Sequence, residues 1–117
     1  MKTIRIGSGA GYGGDRIEPA VDLMERGSLD YIIFECLAER TIALAQLRKS
    51  KDPDKGYNDL FEYRMQRILP VLARKKVKVI TNMGAANVAG AVAETVRIAR
   101  ELGLAGLEIA GVEGDDI

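Results

Sequence analysis

Apolar positions along the chain switch repeatedly between strand-like and helix-like spacing. Residues 3–6 are a short β-type run that leads into a glycine-rich stretch, GSGAGYGGDR. Ile17, Ala20, Val21 and Met24 then recur at i, i+3, i+4 and i+7, the spacing of one buried helix face. Asp15 is placed to cap that helix, and Glu18 three residues on would complete a capping box. Pro19 suits a first turn and Gly27 an end. Residues 29–34 (LDYIIF) read as a buried strand, and ECLAER leads into TIALAQLRK, a second helix with little polar surface on one side. Residues 50–59, rich in Asp, Lys, Pro and Gly, are the clear polar loop. Phe61, Met65, Ile68, Leu69 and Leu72 give a third helix, and residues 77–80 a third strand. After TNMGAAN, residues 88–102 form a helix with Val92, Val96 and Ala99 on one face and Gly103 as its stop. Residues 107–109, extended by Ala110, are a fourth strand, followed by GVEGDDI.

The strands are apolar on consecutive positions, as parallel strands covered on both faces are. The expected fold class is therefore α/β. It is one domain over residues 1–117, a parallel sheet of about four strands flanked by helices, in Rossmann-like βα units with right-handed crossovers. After a fourth strand a helix is due, and Asp115 or Asp116 has the character of its N-cap. A last strand without its helix leaves apolar surface and an open edge. The pattern thus implies an incomplete domain: a fragment, a split subunit, or a chain completed by a homo- or hetero-oligomeric partner.

Composition removes several functions. Seventeen Lys and Arg balance seventeen Asp and Glu, so the basic footprint of a nucleic-acid binder is missing. No apolar run is long enough to span a bilayer, and the apolar part of MKTIRIGSG is too short for a signal peptide. Cys36 is the single cysteine, so no internal disulfide forms and a reducing cytoplasm is the default setting. Without histidine, the usual metal ligands and the commonest general base are absent, and no metal site is expected. No cofactor is assigned.

In open α/β sheets ligands bind beyond the carboxyl ends of strands, where strand order reverses. Four polar loops fall there: GSGAGYGGDR, ECLAERT, TNMGAAN and GVEGDDI, whereas the opposite connectors are plain. Gly9, Gly11 and Gly14 fit G-x-G-x-x-G behind a strand, and Glu35 lies where a dinucleotide fold places its ribose carboxylate. An NAD(P)- or flavin-binding oxidoreductase is one reading. It is opposed by Asp15, a negative charge where a pyrophosphate would sit. The others are a tight turn needing positive φ and a loop whose N–H groups hold an anionic or polar ligand. Ser8 and Arg16 border the same loop, and Glu35, Glu39 and Arg40 form a polar cluster facing it. Asp15 and Glu35 are the candidate catalytic carboxylates, provided burial or a like charge raises the base's pKa. Cys36, near Arg40 and a helix start, is either a lowered-pKa thiol or a small buried apolar residue. In the third loop Asn87 is placed to cap a helix, whereas Asn82, with Thr81 and Gly84 beside it, suits carbonyl or hydroxyl recognition.

Three blocks, GSGAGYGGDRIEPAVDL, LDYIIFECLAERTIALAQL and VITNMGAAN, resemble the acyclic terpene utilisation (AtuA-like) family across essentially the whole chain. The resemblance implies a cytoplasmic α/β protein, often encoded beside acyl-CoA carboxylase and related acyl-CoA catabolic enzymes. Its implied role is in the breakdown of acyclic terpenes such as citronellol and geraniol. Family members are several times longer, so this chain would match their N-terminal part. The blocks include residues 8–16, 35–41 and 81–87, the loops already chosen by topology, and the resemblance supplies no catalytic assignment. The function expected is binding of a small carboxylate or acyl-type ligand at the carboxyl edge of the sheet. A non-catalytic structural subunit is the remaining alternative.

Overall fold

The structure, a computed structural model, describes residues 1–104 and 106–115. It is an α/β fold with the order β1 (Ile6–Ala10), α1 (Glu18–Arg26), β2 (Tyr31–Phe34), α2 (Glu39–Lys51), α3 (Phe61–Lys75), β3 (Lys78–Thr81) and α4 (Val88–Glu101). The three strands form one parallel sheet in the order β1-β2-β3. Ile6 pairs with Tyr31 and Tyr31 with Lys78; Ser8 pairs with Ile33 and Ile33 with Ile80. A bulge between Ser8 and Ala10 shifts the last β1 pair to Ala10 and Phe34.

Alternation along the strands splits the sheet into two unlike faces. Ile32 and Phe34 point into a continuous core with Ile17, Met24, Ile68 and Ile98. The packing of α1 on α3 and of α3 on α4 lays these helices side by side over that face. The opposite face carries Ile6, Ile33 and Ile80, all exposed. The expectation of helices on both faces is therefore not met among the described residues. Helix α2 stands apart: only Ala45 is buried, and Leu44 and Leu47 face outward.

The first strand begins later than its apolar signal. Residues 3–6 mark only its approach, and the strand proper is IGSGA. Ser8 and Gly9 are thus strand residues rather than loop residues. Glycine is required here by close approach. A Cβ on Gly9 would sit 2.5–2.8 Å from three atoms of the Phe34 ring, and one on Gly7 would sit 2.6 Å from Leu29. Space made for neighbouring side chains removed the apolar residues that would have announced the strand.

Among the described residues the expected fourth strand does not form. Residues 107–115 carry neither helix nor strand, although Leu107 packs against the core. Gly106 and Gly114 adopt φ of +90° and +118°, turn geometry at both ends of a very short apolar run. Asp115 is exposed in this irregular segment, and Asp116, the other candidate cap, lies outside the described residues. Among the described strands the order runs without reversal, so a Rossmann-like switch point, on which the expected crevice depended, is not formed. The inward face of α4 is also rotated: Ala91, Thr95, Ile98 and Ala99 are buried, while Val92 and Val96 are only half-buried.

Candidate functional site

The carboxyl ends of the strands meet in a hydrogen-bonded weave. The Asp15 carboxylate accepts from the N–H of Gly11 at 2.9 Å and of Arg16 at 2.9 Å, closing the loop on itself. It does not cap α1, whose N-cap is Ile17 with no side-chain cap bond. The capping box expected from Asp15 and Glu18 is absent because the helix starts two residues later than that pairing requires. No glycine from Gly7 to Gly14 has positive φ, which removes the left-handed turn as the reason for the glycine run.

Arg64 is the centre of the weave. It is 1 % exposed, and its guanidinium donates to the carbonyls of Gly13 at 2.9 Å and Asp15 at 2.7 Å. Its other arm reaches Asn58 Oδ1 at 3.4 Å, Met83 Sδ at 3.4 Å and Cys36 Sγ at 3.6 Å. No carboxylate pairs with it among the described residues. A buried cation is tolerable only when such donors are satisfied. The sequence did contain a signal: Arg64 lies three residues after Phe61 and four before Ile68, inside the apolar stripe of α3.

The polar loop between α2 and α3 straps this edge together. Asn58 donates from Nδ2 to Gly13 O at 3.1 Å and from its backbone to Met83 O at 2.8 Å. Ala86 N–H donates to Gly56 O at 2.8 Å, and Lys49 Nζ donates to Ala86 O at 2.9 Å. Asn87 caps α4 as expected by accepting from Gly90 N–H at 2.9 Å, and its amide nitrogen also holds the strap through Lys55 O at 2.9 Å.

Glu35 and Asn82 are brought together. Asn82 Nδ2 donates to Glu35 Oε1 at 2.9 Å while its Oδ1 accepts from Cys36 N–H at 2.7 Å. Both halves of this amide thus tie the exit of β3 to that of β2. The Asn82 bond, followed by one from Leu37 N–H, holds the Glu35 carboxyl below its ordinary value. Glu35 is exposed, so the burial that would make it a neutral-pH base is missing. Cys36 is buried, and desolvation pushes its thiol up against the opposing pull of Arg64. That environment does not make an accessible thiolate.

The remaining candidates are scattered. Glu39 and Arg40 are exposed on the first turn of α2. Arg16 lies 3.8 Å from Glu18 at the surface. Thr81 donates to Phe34 O at 3.0 Å and accepts from Met83 N–H at 3.0 Å. Ser8 is exposed on β1, and Gly11 and Gly14 belong to the Asp15-clamped loop.

A feature the sequence did not announce flanks the free edge of β3. It is a groove of about 810 Å³. Its accessible wall comes from Leu72 of α3, Val88 and Val92 of α4 and Val79 of β3, above the buried Met65, Ile68 and Leu69, and Leu107 and Ile109 border it. Thr81, Asn82 and Gly84 close one end; Lys76 and Lys78 lie at the other. Asp15, Arg16, Glu35, Glu39, Arg40 and Asn87 do not line it. Gly84 N–H has no protein acceptor among the described residues. The groove lies between β3 and residues 107–112, which line it without pairing to β3.

The family model described as "Acyclic terpene utilisation family protein AtuA" matches residues 4–117. No curated protein and no solved structure matches the chain. No helix among the described residues is long and apolar enough to cross a membrane.

Proposed function

Given that the chain belongs to the acyclic terpene utilisation family AtuA, we propose that it serves that use by holding a small carboxylate or acyl-type ligand at the carboxyl end of its sheet. The observation that carries this reading is the groove beside β3: mostly apolar, with Thr81, Asn82 and Gly84 at one end and Lys76, Lys78, Glu108 and Asp115 also in its lining. A branched hydrocarbon chain matches the half-buried side chains of Leu72, Val79, Val88 and Val92, since burial of apolar surface supplies the affinity. The head group meets the β3 exit, where the free N–H of Gly84 is the donor for a carboxylate or thioester oxygen. Asn82 positions that loop through Glu35 and Cys36 rather than meeting the ligand itself. Glu35, held ionised, is an acceptor and not a proton donor at neutral pH. Asp15 and Arg16 shape the adjacent loop. We place this role in the cytoplasm, the setting suited to the free thiol of Cys36.

The test is a titration with geranate followed by NMR, with octanoate as the unbranched comparison. Expected are shifts of the Gly84 amide and of the Val88 and Val92 methyl groups, saturating below a Kd on the order of 1 mM. Absence of shifts at these positions, or shifts confined to the Asp15 loop, overturns the reading.

A further inference from the structure

Residues 107–110 have the place, the direction and the alternation of a strand, without its hydrogen bonds. Leu104 N–H donates to Ala99 O at 2.8 Å, which ties the approach to this segment to the end of α4. Its far side lies against the start of that helix: a Cβ on Gly111 would sit 2.7 Å from Val88 and 2.9 Å from Val92. The segment therefore runs back along α4, in the direction of β3. Leu107 and Ile109 are half-buried, whereas Glu108 and Ala110 are exposed, the period-two pattern of a strand covered on one face. No hydrogen bond joins residues 107–112 to β3.

The ladder shows which backbone groups are left over. Tyr31 and Glu35 N–H donate to the carbonyls of Arg5 and Ala10, and Lys78 and Asn82 N–H donate to those of Asp30 and Phe34. Residues of the bare sheet face thus turn their backbone groups towards the preceding strand. Alternation turns the N–H and C=O of Val79 and Thr81 the other way, to the free edge that lines the groove. By the same handedness Glu108 and Ala110, the outward members of the segment, would turn theirs towards β3 in a parallel ladder. Their side chains already have the phase that such a ladder requires.

We propose that the groove has two states: the open one of this structure, and a closed one in which residues 107–110 pair with β3 as a fourth parallel strand. Paired strands lie about 4.8 Å apart, which leaves no room for a hydrocarbon chain between them. Closure gives partners to the outward groups of Val79 and Thr81, which the apolar wall of the groove does not supply. The segment is favoured over any second molecule because it belongs to the same chain and already lies along the groove, at high effective concentration. Gly106 supplies the pivot. Its φ is +90°, and a Cβ there would meet nothing within 4 Å, so glycine serves backbone geometry rather than space. Ligand and strand compete for one groove. The ligand binds the open state alone, and its apparent affinity is reduced by the fraction of chains that are open. The competition rests on the ligand reading above; the pairing does not.

NMR of the ligand-free chain reads the pairing directly. Expected are inter-strand Overhauser contacts between the backbones of residues 79–81 and 108–110, which saturating geranate erases. The double variant Glu108→Pro/Ala110→Pro removes the two N–H groups that would donate to β3, at exposed positions. It is expected to lose the contacts and to speed exchange of the Val79 and Thr81 amides about ten-fold, with an otherwise unchanged amide spectrum. It should also bind geranate about two- to ten-fold more tightly than the wild type, the opposite sign to simple damage. Glu108→Ala removes the charge but keeps the N–H, and is expected to leave the affinity unchanged. Absence of inter-strand contacts in the ligand-free wild type overturns the proposal, whatever geranate does. So do contacts that persist at saturating geranate, or a double-proline variant that folds and binds geranate no more tightly. Contacts in a chain that fails to bind geranate uphold the pairing and overturn the ligand reading instead.

Discussion

The carboxyl edge of the sheet and the flank of β3 are built on opposite principles. At the edge, the side chains of Arg64, Asn58, Asn82 and Asp15 direct most of their hydrogen bonds to the backbone of neighbouring loops and the rest to one another, Glu35, Cys36 and Met83. Polar residues there hold the fold together. At the flank, a strand edge and mostly apolar side chains surround open space. The region richest in candidate chemistry is thus the one with least capacity left for a ligand. A dense polar cluster identifies a site only once its donors and acceptors have been traced to their partners.

Four experiments press on this contrast. The largest effect is expected from Arg64→Leu. It strips the carbonyls of Gly13 and Asp15 of their donor inside the core, and should destabilise the chain by about 3 kcal/mol in urea unfolding. A loss under about 1 kcal/mol would mean the weave is not what holds the edge. Next comes Asn58→Ala, which releases the strap from Gly13 and costs about 1–2 kcal/mol by the same measurement. Val92→Phe should fill the groove instead. It is expected to change stability by less than about 1 kcal/mol while lowering geranate affinity at least ten-fold by NMR titration. If it unfolds the chain, the flank is as tightly packed as the edge and the contrast fails.

The smallest effect concerns pH. Glu35 has a depressed pKa in the folded chain, so its stabilising bonds are fully present above the unfolded-state value. They are lost as the pH falls through the lower, folded value. The stability difference between the wild type and Glu35→Gln, measured by thermal unfolding, should therefore narrow as the solution is acidified below the usual glutamate range. A difference that is flat across that range would remove the Asn82–Glu35 bond from the account.

Helices and their order were legible because each buries one continuous stripe. Phe61, Met65, Ile68 and Leu69 mark α3 without ambiguity, and all four are buried. Gly27 ends α1 and Asn87 caps α4, as local chemistry requires. The strands were harder. Those of β2 and β3 are four residues long, and β1 is made largely of glycine and small residues, so its period-two pattern is nearly silent. Residues 107–110 have the composition of a strand, but strand formation needs a partner ladder, and composition does not report pairing. The site was legible in outline only. Glu35 and Asn82 do meet, and Thr81, Asn82 and Gly84 do border the groove. Arg64 carried one signal, its place inside the apolar stripe of α3, against the ordinary solvent-facing habit of a helical arginine; the strap was hidden because polar loops ordinarily join rather than clasp. The groove had no sequence signature at all, since it arises from an interval between segments rather than from any residue.

Cys36 has a use that its chemistry alone does not suggest. It is the single thiol of the chain and lies buried under the Arg64 guanidinium, at the point where the glycine loop, the strap and the β3 exit converge. An alkylating reagent can reach it only in the moments when these segments part. Its labelling rate is therefore a clock for the breathing of the carboxyl edge, readable by mass spectrometry without a substitution or a probe.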